Sequence, residues 1–174
     1  MDNEIFFSET QRFRQIWLWL MLLSVNGLFL LGFFRQIAGG HQIGDKPMSN
    51  NGFLIIISFT ILLSFLFFIL RLDTIIRSDG IYVRFFPIHK TFKKYLWNEI
   101  KQSFVCKYNP ITEYGGWGLR WGLKGKAYNI SGNKGIQLIL KDNRRLLIGT
   151  NKPGEADEAL RRTGQVCNYP VGSF

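Results

Sequence analysis

Residues 16–34, IWLWLMLLSVNGLFLLGFF, and residues 52–70, GFLIIISFTILLSFLFFIL, decide the fold of this 174-residue chain. Each is an unbroken run of 19 residues without one charged side chain. At about 1.5 Å of rise per residue, a helix of that length spans about 28 Å, close to the roughly 30 Å of a bilayer's hydrocarbon core. The two runs therefore predict a transmembrane helical hairpin over residues 16–70. A cleaved signal peptide is the competing reading of the first run, because Ala38, Gly39 and Gly40 follow it. Against that, the run is longer than a signal core, and it begins only after a polar leader, residues 1–15, holding Asp2, Glu4 and Glu9.

Three polar residues interrupt the apolar spans at matching depth. Asn26 sits near the centre of the first, and in an antiparallel hairpin Thr60 meets it from the second, with Ser64 one turn further along. An amide in hydrocarbon must find a hydrogen-bond partner, so these three predict interhelical packing. A transport site would bring ionisable residues or broken helices, and the spans have neither.

Charge is distributed unevenly around the spans. The chain carries a net +10, and residues 71–174 hold 18 Lys and Arg against 8 Asp and Glu, which accounts for all of it. Arg12 and Arg14 precede the first span, and Arg71, Arg77, Arg84 and Lys90 follow the second. The intervening residues 35–51 offer only Arg35 and Lys46. Positive flanks are retained in the cytoplasm, so the prediction is a multi-pass cell-membrane protein (plasma or inner membrane) with both termini inside. The loop outside, with Gly39, Gly40, Gly44 and Pro47, reads as a turn, and its lone His41 as solvated.

From Arg71 the grammar changes to short alternating runs separated by turn residues. Residues 72–77 and 81–86 flank Ser78-Asp79-Gly80, a hairpin signal in which Asp-Gly is expected to supply positive φ angles. Residues 95–104 and 105–108 are further strand candidates, interrupted near Asn98 or Lys101. Residues 136–141 and 144–150 form a second predicted hairpin about Asp142-Asn143. The period then becomes helical: Pro153 suits a first turn, Glu155 and Asp157 the positive end, Arg161 and Arg162 the negative end, and Gly164 a C-cap. Ala156, Ala159, Leu160 and Thr163 line one side. Short antiparallel strands followed by one amphipathic helix predict a bent sandwich or partly open barrel capped by that helix.

The segments Glu113-Tyr114-Gly115-Gly116-Trp117-Gly118-Leu119-Arg120, Ala127-Tyr128-Asn129-Ile130-Ser131-Gly132, residues 135–140 and Leu147-Ile148-Gly149-Thr150 resemble small bacterial two-span membrane proteins with a pleckstrin-homology-like domain. The resemblance covers residues 71–165, leaving 166–174 as a tail, and is most specific at Tyr114-Gly115-Gly116-Trp117-Gly118. It implies a seven-stranded bent sheet with a C-terminal helix, hence an α+β membrane protein, and brings no activity with it.

Motifs for chemistry are few. Gly125-Lys126 lacks the glycine five residues earlier that a phosphate loop requires, and Gly116, Gly118 and Gly122 miss dinucleotide spacing by one residue. His89 is the domain's one histidine, with no motif placing it beside a nucleophile or a metal cluster. Cys106 and Cys167 are expected as free thiols. Neither a catalytic residue nor a cofactor nor a metal is predicted, and no recognition motif for nucleic acid accompanies the charge. The block 115–118 predicts a tight loop, with Trp117 and Trp121 as packing residues or interfacial anchors. What remains is the basic surface: Lys90, Lys93 and Lys94, then Arg120, Lys124 and Lys126, then Arg144 and Arg145. Its bland use is solubility; its functional use is attraction to anionic lipid headgroups, at about 1 kcal/mol per basic residue near the surface. The expected function is a membrane-anchored, non-enzymatic module whose domain binds anionic lipids, a membrane protein partner or a second copy. The alternative is an accessory subunit of a membrane enzyme or transporter.

Overall fold

The computed structural model describes residues 4–39, 49–122 and 124–164. The chain divides into two compact units, a helical hairpin of residues 14–69 and a unit built from the flanking segments on both sides of it. Residues 40–48 of the turn expected over 35–51, with His41, and the tail 166–174 with Cys167 lie outside the described residues.

The hairpin consists of α1 (Ile16–Gly39) and α2 (Asn50–Ile69). Both helices run beyond the uncharged stretches, and Arg35 belongs to α1 rather than to the loop. Nothing before Gly39 breaks a helix, and at this end Gln36 Nε2 donates to Asn50 Oδ1 across the pair at 2.6 Å. Trp19 packs edge-on to Phe68, and Phe33 against Phe53. Between these aromatic contacts Asn26 is fully partnered. Its amide donates to Ser64 Oγ at 3.0 Å and to the Leu22 carbonyl at 2.7 Å, and its carbonyl accepts from Thr60 Oγ1 at 2.9 Å. Leu20, Leu23, Leu31, Ile55, Leu62 and Phe65 are exposed around the outside.

The second unit is α+β, with two sheets, neither closed into a barrel. Sheet A has the order β1-β2-β3-β4, all antiparallel: β1 (Ile5–Arg12), β2 (Arg71–Arg77), β3 (Gly80–Phe86) and β4 (Lys93–Leu96). Sheet B has the order β5-β8-β9-β7-β6: β5 (Ile100–Lys107), β6 (Gly118–Gly122), β7 (Gly125–Asn129), β8 (Lys134–Leu140) and β9 (Arg145–Gly149). A short helix α3 (Pro110–Tyr114) lies between β5 and β6, and α4 (Pro153–Arg162) follows β9.

Four sequence expectations need correction. Residues 1–15 are not merely a leader, because β1 is an edge strand of sheet A. Phe7, Glu9, Gln11 and Phe13 alternate inward, and the polar pair in that series hides the strand pattern. Among the described residues, nine strands in two sheets replace seven in one bent sheet. The arrangement is mixed rather than antiparallel, since β9 enters between β8 and β7 and runs parallel to β7. Finally, the Ser78-Asp79 turn forms without positive φ at either Asp79 or Gly80. Gly80 is required for another reason: a Cβ there would stand 2.4 Å from the Tyr95 carbonyl of β4.

Leu72 and Ile76 of β2, with Ile81, Val83 and Phe85 of β3, give sheet A its buried face, and Ile136, Leu138 and Ile148 do the same for sheet B. Helix α4 contributes Ala156, Ala159 and Leu160 and packs against β5, β1 and β8, bridging the two sheets. Burying a side chain such as Leu160 contributes about 1.5–3 kcal/mol. Exposed ion pairs Arg161–Asp157 and Arg162–Glu158 follow the helix on its outer side.

Candidate anion-binding site

Two short sequences, Lys93-Lys94-Tyr95 in β4 and Lys126-Ala127-Tyr128 in β7, build this site. In a strand, residues two apart share a face, so each sequence presents a lysine and a tyrosine together. Sheet A supplies the first pair and sheet B the second. The pairs meet: Tyr95 stands beside Tyr128, and the Lys93 ammonium closely approaches that of Lys126. Trp121 is paired with Lys126 across the β6–β7 ladder and thus joins the same face.

The aromatic rings support the charge. Lys126 Nζ lies 4.7 Å from the Trp121 ring centroid and 5.0 Å from that of Tyr128. Both rings offer an electron-rich face to the cation, worth about 0.5–2 kcal/mol depending on desolvation. His89, from the loop after β3, packs edge-on to Tyr128 at 5.7 Å. Tyr128 is fully buried and forms the floor, whereas Trp121 is 71% exposed and Lys93 is exposed. The site is open to solvent above a buried aromatic base.

Its electrostatics have one sign. Burial, then the charge of Lys93, lowers the Lys126 pKa. Burial lowers that of His89 as well, helped by the charges of Lys93 and Lys126. None of the charges acting on His89 or Lys126 is acidic, and neither Lys93 nor Lys126 enters the ion pairs found among the described residues. Two unit charges about 4 Å apart repel by about 1 kcal/mol in bulk water, and by more where burial weakens screening. An anion placed between the lysines would remove that repulsion.

The other predicted basic residues do not join them. Lys124 pairs with Glu113 at 3.5 Å, and Arg144 with Asp142 at 2.6 Å. Arg120 Nε donates to the Trp117 carbonyl. Lys94 points away over Tyr82, Arg145 is exposed at the start of β9, and Lys90 is exposed in the loop after β3. Trp117 is partly buried and clamps its loop by donating Nε1–H to the Gly132 carbonyl at 3.1 Å. That loop begins where Asn109 caps α3 by accepting from Ile111 and Thr112, and Gly115 ends the helix at φ 71°. Gly116 and Gly118 also hold positive φ, at 115° and 118°.

Sequence reasoning weighed His89 only for catalysis and did not single out Tyr95 or Tyr128. The repeated Lys-x-Tyr spacing was the signal available, but it becomes meaningful only once two strands from different sheets face each other.

Register locates the site relative to the chain's own connections. Arg12 pairs with Arg71, and Arg71 with Phe86. The loop carrying His89 therefore leaves sheet A at the end where Arg12 and Arg71 pair. Lys93 is the residue of β4 nearest that end, opposite Val83.

Burial pushes the Cys106 thiol up to about 11, and Tyr108 and Tyr114 up to about 12. Such a thiol is a small apolar side chain, not a nucleophile. Among the described residues no three His, Cys, Asp or Glu side chains are grouped to hold a metal ion. Neither the protein-family models nor the curated proteins compared with this chain match it.

Proposed function

We propose that this chain is a membrane-anchored, non-enzymatic interaction module whose β unit binds anionic lipid headgroups at the cytoplasmic face. The observation that carries the reading is the uncompensated pair Lys93 and Lys126 on an aromatic base. The basic excess of residues 71–174 supplies the longer-range attraction.

Anchoring rests on α1 and α2, which are long and apolar enough to cross a membrane and are mostly unburied, unlike the core helices of a soluble domain. Pairing of β1 with β2 supports a two-crossing arrangement independently of the Lys and Arg bias. Residues 12 and 71 are strand partners, so the chain must return to the side from which it left. A signal peptidase cut after α1 would remove an edge strand from sheet A. The cytoplasmic assignment of that side follows from Arg12, Arg14, Arg71 and Arg77 flanking the helices.

The test uses the full chain in neutral detergent, with phosphatidylglycerol and phosphatidylcholine added in equal amounts. Native mass spectrometry should find phosphatidylglycerol preferentially retained. The Lys93→Gln/Lys126→Gln double variant should lose about 30-fold of that preference, the equivalent of about 1 kcal/mol for each lysine. Equal retention of both lipids by the unaltered chain would refute the proposal. If a membrane protein copurified instead and its capture depended on the same lysines, the adaptor reading would replace it.

A further inference from the structure

We infer that Lys93, Lys126 and His89 form a seat selective for a phosphate dianion, the terminal phosphomonoester of a lipid headgroup or a free phosphate, over a singly charged phosphodiester. The inference deepens the proposed function and rests on that reading for the lipid as the source. Its ground is the charge count at the site. Two lysines converge from different sheets beside the Tyr128 ring, neither enters the ion pairs found among the described residues, and the third polar group, His89, packs on the same ring with burial and both lysines disfavouring its charged form. A phosphodiester carries one negative charge and leaves one lysine uncompensated. A phosphomonoester carries nearly two at neutral pH, with three equivalent acceptor oxygens, enough to bridge both lysines at once.

The surroundings favour this choice over a general basic patch. Lys126 is held between the rings of Trp121 and Tyr128, which limits its freedom to swing away to a distant partner. Two cations that a diffuse patch would use are already engaged, Lys124 by Glu113 and Arg144 by Asp142. Lys94, adjacent in sequence to Lys93, lies over Tyr82 on the other face of β4.

The experiment compares lipids that differ in headgroup charge on the full chain in neutral detergent. Native mass spectrometry is run with phosphatidic acid, phosphatidylglycerol and phosphatidylcholine, and calorimetry with inorganic phosphate and dimethyl phosphate. The inference expects phosphatidic acid to exceed phosphatidylglycerol by about fivefold or more, the contribution of one additional compensated charge. Lys93→Gln and Lys126→Gln should each abolish that ratio. Lys94→Gln removes the same charge from the opposite face and should preserve it, which separates the seat from net charge and from folding. Equal retention of the two anionic lipids, both above phosphatidylcholine, would overturn the dianion seat and leave the headgroup reading standing. Phosphate binding in calorimetry without retention of either anionic lipid would keep the seat and defeat the headgroup reading. Binding of neither lipid nor phosphate would overturn both.

Discussion

The Thr150 hydroxyl donates to the Glu9 carboxylate at 2.6 Å, joining residues at opposite ends of the described chain. The other Glu9 oxygen accepts from the Asn151 backbone N–H at 2.9 Å, and Gln11 Nε2 donates to the Gly149 carbonyl at 2.6 Å. These bonds tie β1 of sheet A to the end of β9 and the approach to α4. Glu9→Ala would leave the buried Thr150 hydroxyl and the part-buried Asn151 N–H without their acceptor, at about 1–3 kcal/mol for a donor cut off from water and less for one that water can reach. We expect a loss of about 2–4 kcal/mol in the unfolding free energy of the β unit, followed by denaturant titration of its strand circular dichroism, with Glu9→Gln milder. A Glu9→Ala change below about 0.5 kcal/mol would show that the latch does not stabilise the fold. By the same logic a chain starting at residue 70 should not fold, since it lacks β1.

Asn26→Leu should loosen the helical hairpin. The substitution removes the bonds to Ser64 and Thr60 together and leaves the Thr60 hydroxyl with the Ile57 carbonyl of its own helix. Interhelical bonds of this kind contribute about 0.6–2 kcal/mol. A donor–acceptor dye pair placed on the two helices should report increased separation or broader distance distributions in micelles. Unchanged distances would mean that the aromatic contacts of Trp19 with Phe68 and Phe33 with Phe53 suffice alone.

The hairpin, including the depth match of Asn26 with Thr60, was readable because helical spans follow from length and composition alone. The β2–β3 and β8–β9 hairpins and α4 were readable because turns and caps have local chemistry. Two features were not. β1 carries Glu9 and Gln11 on its buried face, and inward polar residues mimic a solvated leader unless their partners, Thr150 and Gly149, are known. The Lys93–Lys126 meeting depends on β7 packing parallel to β9, an arrangement set by long-range order rather than by any local signal.

His89 should titrate below the ordinary histidine range. Burial is the first cause, and the charges of Lys93 and Lys126 add to it. A depressed pKa means that the unfolded chain takes up a proton at a pH where the folded chain does not. Stability from this group is therefore full above about pH 6.5 and declines as pH falls toward the folded value. NMR titration of the imidazole should show the depressed pKa, and Lys126→Gln should move it upward. A titration at or above the ordinary value in the unaltered chain would contradict the clustering of the three groups. His89→Asn should flatten the acid side of the stability profile.

The pairing of Arg12 with Arg71 constrains membrane topology more tightly than charge counting does. Ser8 of β1 and Asn98 between β4 and β5 are both exposed and belong to the same unit, on either side of the helical hairpin in sequence. Single cysteines placed there, Ser8→Cys and Asn98→Cys, must be accessible from the same side of a sealed vesicle if β1 is a strand of sheet A. The proposed function expects that side to be the cytoplasmic one, because Arg12, Arg14, Arg71 and Arg77 flank the helices. Labelling of both positions from the outside would reverse the orientation and keep the fold. Labelling of the two from opposite sides would break the β1–β2 ladder itself, because an odd number of crossings cannot return residue 71 to residue 12.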